Sequence, residues 1–366
     1  MGKKRRNTTI LNIGDRADYD SYKKFHKERR HILDEGFDYK SVHYNAFLKG
    51  KAPEIKTGKV IVFFFFPFDH WNRHIEKRGY RGIYGNGTFY RKFKAFCETL
   101  VVTAKEQLAD KQLFFVNDPL LSSLYRDKLL VMEKLSRAGV SVPSLYRTRG
   151  VKSVNRMLEA GHKFFVKPRC GSMGKGITYL QLGNWQTNFE YKNSRIRSRK
   201  SDQGWHFRDI TGNREFLSKL FRKNIFMEEA IESMIIKEDR VDFRVYTFLD
   251  RVLYVYPRRN RIDAVTTNIS QGGRGDPGLL EIIPERLLKK VEREALKAAK
   301  ILGLNMTGID VIIDNDLRNV YVMDVNMFPG FPKRRTFNLA RAMVKELKRF
   351  NRSGKIHYAA GSSIQL

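Results

Sequence analysis

Cysteine is nearly missing from this 366-residue chain, with Cys97 and Cys170 the only two. Two thiols exclude a disulfide framework and a four-cysteine zinc site. The eight histidines show no metal-ligand spacing. Long apolar runs are absent as well: residues 60–66 form the longest, far short of the roughly 20 residues a membrane helix needs. The basic start, residues 1–6, is not followed by an apolar segment, so no secretory signal is expected. Acid is scarce too, with 39 Asp and Glu against 70 Lys and Arg, a formal net charge of +31. What is present is a core: 42% hydrophobic and 12% aromatic residues exclude a disordered polycation. At roughly 150 residues per domain, two or three domains are expected. The reading is a cytoplasmic globular protein with no membrane partner. Its charge predicts a polyanionic partner: nucleic acid, nucleotide or a phosphorylated small molecule.

Strand-like and helix-like segments alternate through the first third: a strand at 8–13, a helix at about 19–35, a buried strand at 60–66, a helix at 91–108 and a strand at 113–116. Such alternation predicts an open parallel sheet covered by helices. The turn at 82–87, with three glycines, reads as a connecting loop, with close approach to a ligand as the alternative. A helix at 124–138 leads into a glycine-punctuated, strand-rich region that holds a basic stretch, 192–224. Two later helices follow from apolar residues at helical spacing: Leu287, Val291, Ala295, Ala298 and Leu302, then Phe337, Ala340, Val344 and Leu347. The last ten or so residues read as frayed.

Two segments carry chemistry. In the first, a hydrophobic strand delivers Lys167, and Gly171, Gly174 and Gly176 follow closely around Ser172, Met173 and Lys175. Glycines let a backbone turn tightly and aim N–H groups at phosphate oxygens. The Walker A pattern is excluded, because Gly176 rather than Ser or Thr follows Lys175. In the second, the strand at 306–313 carries Asp310, and the strand at 320–326 carries Asp324 and Asn326 on one face. Paired as a hairpin, these three make an oxygen-only site suited to Mg²⁺. Ion pairing with the abundant arginines is the plainer alternative for the two aspartates.

Together these segments resemble the ATP-grasp superfamily, from about residue 127 to 330. The resemblance implies an α/β (α+β) fold with ATP bound between two lobes and a Rossmann-like domain in front of them. The expected division is 1–122 for that first domain, 123–232 for the central lobe, 233–350 for the C-terminal lobe and 351–366 for a tail. It implies that Lys128, in Arg126-Asp-Lys128, and Lys167 hold phosphates and that residues 171–176 cover the triphosphate. Glu229, with the backbone of Ala230 and Ile231, would contact adenine, and Asp239 the ribose. Arg244 (in Asp-x-Arg) and Arg258 would act on the transferring phosphoryl group. Asn268 belongs to an Asn…Gly-Gly element similar to that of the glutamate-ligase branch. Asp310, Asp324 and Asn326 would bind Mg²⁺, with two ions expected. Two departures stand out: Asp324-x-Asn326 replaces the commoner Glu-x-Asn, and Thr266 stands where that branch usually has arginine. Residues 324–331 are also similar to the ending of ATP-grasp inositol phosphate kinases.

The resemblance implies a ligase that makes an amide through an acyl phosphate, on an acidic or phosphorylated substrate. A kinase for a polyanion such as an inositol phosphate is the first alternative. The second is an RNA or ribonucleoprotein binder, with Trp185, Trp205 and Phe207 stacking on bases. Oligomeric state is not legible.

Overall fold

The computed structural model describes residues 6–361 apart from 16–20, 78–79, 81, 148–149 and 199–203. Three larger sheets and one two-stranded sheet organise these residues. In the first, β1 (Thr8–Gly14), β2 (Asp38–His43), β3 (Lys59–Phe64) and β4 (Gln112–Phe115) run parallel in the order β4-β3-β1-β2. The sequence Lys-Val-Ile-Val-Phe-Phe suits β3, which is flanked on both sides and buried from Val60 to Phe64. Helix Gly87–Gln107 packs on this sheet through Phe89, Phe93, Phe96, Leu100 and Ala104.

Two expectations are corrected here. The helix expected at 19–35 is two short ones, Ser21–His26 and Arg29–Asp34, and residue 19 lies outside the described residues. The tail is not frayed throughout: β19 (Ala359–Ala360) pairs antiparallel with β4, whereas 362–366 lie outside the description.

The second sheet takes β5 (Leu145–Tyr146), β6 (Phe164–Pro168), β7 (Thr178–Gln181), β8 (Asn184–Thr187), β11 (Arg208–Asp209) and β12 (Ile225–Glu229) in the order β11-β8-β7-β6-β12-β5. The hairpin of β9 (Glu190–Lys192) and β10 (Arg195–Arg197) stands beside it. Trp205 is 1% exposed and Trp185 6%, because both belong to the hydrophobic core under this region. Phe207 is half-buried. The two tryptophans are therefore core residues and do not present stacking faces to RNA bases.

The third sheet has the order β16-β15-β14-β17-β18, from β16 (Arg274–Gly275), β15 (Arg251–Arg261), β14 (Asp239–Phe248), β17 (Met306–Ile313) and β18 (Val320–Asn326), with β13 (Ile235–Ile236) on β14. Helix Glu285–Leu302 covers one face with its apolar stripe and ends at Gly303, whose φ of +67° suits the left-handed cap. The other face shares a core with the first sheet. Leu339, Met343, Val344 and Leu347 of helix Leu339–Arg352 meet Phe248 and Met306 on one side and Phe25, Ile61 and Phe63 on the other. That shared core holds the lobes around a cleft.

Candidate functional site

A cavity of about 440 Å³ opens where the three sheets converge. Its floor is built by strand register. Asp310 on β17 lies opposite Asp324 on β18 and opposite Arg244 on β14, while Asp242 on β14 faces Arg258 on β15. Side chains two apart share a sheet face, so antiparallel pairing gathers three carboxylates and two guanidiniums. Arg244 grips Asp310 with two N–H donors, the Nη2 bond being 3.0 Å. Arg258 donates to Asp242 through Nε at 2.8 Å and through Nη2, and its Nη2 lies 2.9 Å from Asp310. Arg258 is 4% exposed. Burial alone would lower its pKa, but Asp242 and Asp310 outweigh that and raise it, so the guanidinium stays charged.

Lys128 comes from the start of helix Lys128–Arg137, whose N-cap Asp127 also holds Arg169 through a 3.0 Å bond. The Lys128 N–H donates to the Arg169 carbonyl at 2.8 Å, which fixes that helix start beside β6. The Lys128 ammonium pairs with Asp324. Burial pushes the Asp324 carboxyl up, yet Lys128, Lys167 and Arg244 together bring it below its usual value. Lys167, on β6, donates to Glu228 of the adjacent β12. Glu228 is fully buried, and its second oxygen has no hydrogen-bond partner among the described residues. Burial outweighs Lys167 there and raises the carboxyl pKa.

The glycine segment closes the cavity from above. Met173, itself at φ +58°, and Gly174 turn toward the C-terminal lobe. Ser270 Oγ donates to the Met173 carbonyl at 3.0 Å, and a Cβ on Gly174 would stand 2.8 Å from the Asn268 amide nitrogen. From the other side, Tyr84 and Ser172 share a 2.7 Å hydroxyl bond, and the Cys170 N–H donates to the Gly85 carbonyl at 3.0 Å. A Cβ on Gly85 would lie 2.6 Å from the Gly171 nitrogen. The turn at 82–87 is thus a seat for the loop rather than a plain connection. Cys170 is buried and its thiol is pushed up to about 11, chiefly by burial, which leaves it no thiolate character.

Several residues singled out from sequence meet on the cavity wall: Lys128, Lys167, Gly171, Ser172, Met173, Gly174 and Lys175, then Ile231, Arg244, Arg258, Asn268, Asp310, Asp324 and Asn326. Others do not. Glu229 and Ala230 are off the wall, and their N–H groups already donate to the carbonyls of Ser144 and Lys163, both at 2.9 Å. Ala230 therefore has no free N–H for a base, and Ile231 is the residue of that trio which reaches the cavity. Asp239 is held by Arg259 at 3.1 Å and Arg274 at 3.4 Å, away from the wall. The Lys175 ammonium is buried, 3.1 Å from Glu76 and 4.6 Å from the centre of the Tyr84 ring, so it anchors the loop and does not extend toward a ligand. Gly176 is required by packing, since a Cβ would lie 2.7 Å from Phe189. Glu228 and Glu76 escaped the sequence reading, although an acid inside the apolar run Ile225–Glu229 is a signal that it needs a charged partner.

Two carboxylates and an amide facing one cavity fit a hard divalent cation. Lys128, Arg244 and Arg258 supply the countercharge in this structure. Asn326 donates its amide to the Gly308 carbonyl at 3.2 Å, a bond that does not consume its oxygen.

The profile of the family described as "YheC/D like ATP-grasp" matches residues 117–359. A "Probable alpha-L-glutamate ligase" of Hydrogenovibrio crunogenus is 27% identical over 221 residues, 59% of this chain and 60% of that protein. One of the same description from Ectopseudomonas mendocina is 23% identical over 220 residues, again 59% and 60%. The chain thus spans about 60% of the length of these curated relatives. Among solved structures, the ATP-grasp ligase PsnB complexed with precursor peptide PsnA2 and AMPPNP superposes with a TM-score of 0.55 at 15% identity, over 94% of this chain and 97% of that one. The macrocyclase MdnC bound with precursor peptide MdnA, from Microcystis aeruginosa MRC, gives 0.55 at 12% identity, over 93% and 99%. At such identities the likeness carries the fold.

Proposed function

The chain belongs to the YheC/D-like ATP-grasp family, and on that premise we propose that it is an ATP-dependent ligase joining a carboxylate to an amine. The observation that carries this reading is the single cavity where Lys128, Lys167, the glycine loop, Arg244, Arg258 and the Asp310–Asp324–Asn326 set converge. Lys128 and Lys167 hold the phosphates, each ammonium having donors beyond the one its carboxylate partner takes. Asp310, Asp324 and Asn326 hold Mg²⁺, which when bound screens phosphate charge. Arg258 and Arg244, fixed by Asp242 and Asp310, offset the charge that develops as the γ-phosphoryl group passes to a substrate carboxylate. The loop at 171–176, tethered on both sides, excludes water from that transfer. The amine then displaces phosphate to leave an amide.

The glutamate-ligase description of the relatives makes L-glutamate the first candidate to supply the carboxylate or the amine. The test incubates the protein with ATP, Mg²⁺ and L-glutamate, traps activated carboxylate with hydroxylamine, and follows ADP and phosphate release. Carboxylate-dependent hydroxamate with stoichiometric phosphate is the expected result. ATP consumption that yields a phosphorylated hydroxyl product would replace the ligase reading with a kinase one.

A further inference from the structure

Among the described residues seven cations line the cavity, and six of them are tied to a carboxylate or by two bonds to one carbonyl. Lys128, Lys167, Lys175, Arg244 and Arg258 each hold a carboxylate. Arg240 donates two bonds to the Ile262 carbonyl, at 3.2 and 2.7 Å. Arg126 differs from all of these. It forms no ion pair with any described residue, and its polar contact is a 3.4 Å approach of Nη2 to the Cys170 carbonyl, long for an N–H···O bond.

What holds Arg126 is aromatic. Its guanidinium carbon lies 4.8 Å from the centre of the Trp71 ring, 5.8 Å from Phe93 and 5.9 Å from Phe66. Phe328 packs against Phe66 and Phe93 at 5.7 and 6.0 Å, two residues beyond Asn326. Stacking employs the face of a guanidinium and leaves its edge donors for a ligand, and arginine tolerates the low dielectric because it is weakly hydrated and stays charged. A half-buried cation without a counterion is costly unless a ligand supplies one. The phosphate end of the cavity already has Lys128 and Lys167. Arg126 stands between the Cys170 carbonyl, at the foot of the glycine loop, and the aromatic wall, where a planar two-oxygen anion on an apolar stem meets both a fork of donors and a hydrocarbon surface.

We infer that Arg126, on its Trp71–Phe66–Phe93 platform, binds a carboxylate of the substrate and so selects acidic substrates. The inference rests on the ligase reading for what happens to that substrate afterwards, but not for the binding itself.

Phenylglyoxal, which modifies accessible guanidiniums, tests it on the unaltered protein, with peptide mass spectrometry as readout. Arg126 is expected to react faster than Arg244 and Arg258, which are tied to carboxylates. L-glutamate or poly-L-glutamate should slow its modification severalfold, and ADP with Mg²⁺ should not. Shielding by ADP alone makes Arg126 a nucleotide ligand and overturns the inference; shielding by none of the probes overturns it as well. Calorimetry of ADP on the same sample separates the two readings, because failure to bind ADP removes the ligase proposal whatever the carboxylates do. In the hydroxamate assay, R126Q should raise the KM for the carboxylate about tenfold or more, the worth of a charge-assisted pair, with the KM for ATP unchanged. R126K, which keeps the charge but loses the fork, should fall between the two; equal KM values in all three proteins would also overturn the assignment.

Discussion

Replacing Glu228 by glutamine removes one buried negative charge from beneath Lys167 while keeping shape and an acceptor oxygen. In the wild-type protein the carboxylate is fully buried, its second oxygen lacks a partner among the described residues, and burial raises its pKa despite Lys167. For a carboxyl raised in the folded state, stability is fully present below its unfolded pKa and is lost as pH rises through the folded value. E228Q escapes that loss. Its stability relative to wild type should therefore rise as pH goes from 4 to 8, on top of a constant loss from leaving Lys167 without its carboxylate. Nucleotide affinity is the sharper readout. A phosphate on the far side of the Lys167 ammonium sits about 6 Å from the carboxylate, a repulsion of about 3 kcal/mol at an effective dielectric of 20. Screening by salt and by the other cations cuts this to about 1.4 kcal/mol, or tenfold in affinity. Calorimetry with ADP and Mg²⁺ should thus find E228Q the tighter binder. Equal or weaker binding by a variant that melts normally would refute the reasoning and make Glu228 an orienting group for Lys167.

Three further predictions concern the fold around the site. Gly85→Ala puts a Cβ at φ +69° and 2.6 Å from backbone of Gly171. The left-handed conformation alone costs roughly 1–2 kcal/mol, and with the clash urea denaturation should show a loss of about 2–4 kcal/mol; a loss below about 1 kcal/mol would mean that the turn does not seat the loop. Arg258→Met strips Asp242 of its buried partner and should cost about 3–5 kcal/mol, so an unchanged denaturation midpoint would refute the buried pairing. Asp15 is raised from 3.8 to about 6, mainly by burial, so the stability it contributes is present below pH 3.8 and lost by about pH 6. Melting curves of Asp15→Asn and wild type should diverge in favour of the variant across that window and run parallel above it; parallel curves throughout would refute the shift.

The parts of the site that a sequence shows are those fixed by local spacing. Asp324 and Asn326 are two apart on one strand, and the apolar runs around Asp310 and Asp324 announce a hairpin that places the aspartates opposite each other. The glycine loop is legible for the same reason, as a strand followed by a backbone that must turn. Long-range matching is not legible. Lys175 looks like a phosphate ligand until the fold brings Glu76 to it from 99 residues away. Asp239 looks free until β15 and β16 bring Arg259 and Arg274 beside it. Trp205 sits in a polar, basic stretch, and only packing against Phe189 and the distant Tyr84 shows it to be core. In each case local composition was compatible with two environments, and the choice lay in which strand arrived next to it.

The charge balance of the cavity constrains what it takes. Among the described residues, five of its seven lining cations are matched by carboxylates: Asp324, Glu228, Glu76, Asp310 and Asp242. The site as it stands carries a small positive excess, far below the +31 of the whole chain. A triphosphate entering with divalent cations brings most of its own neutralisation, so it does not consume that excess. What remains is Arg126, together with Arg240 held on a carbonyl. On the inference that Arg126 binds a ligand, one further negative group completes the site, and the aromatic wall around Arg126 favours one attached to something apolar. A substrate carboxylate meets both demands; inorganic phosphate or a second nucleotide phosphate meets only the first. The rest of the basic surplus lies outside the cavity lining.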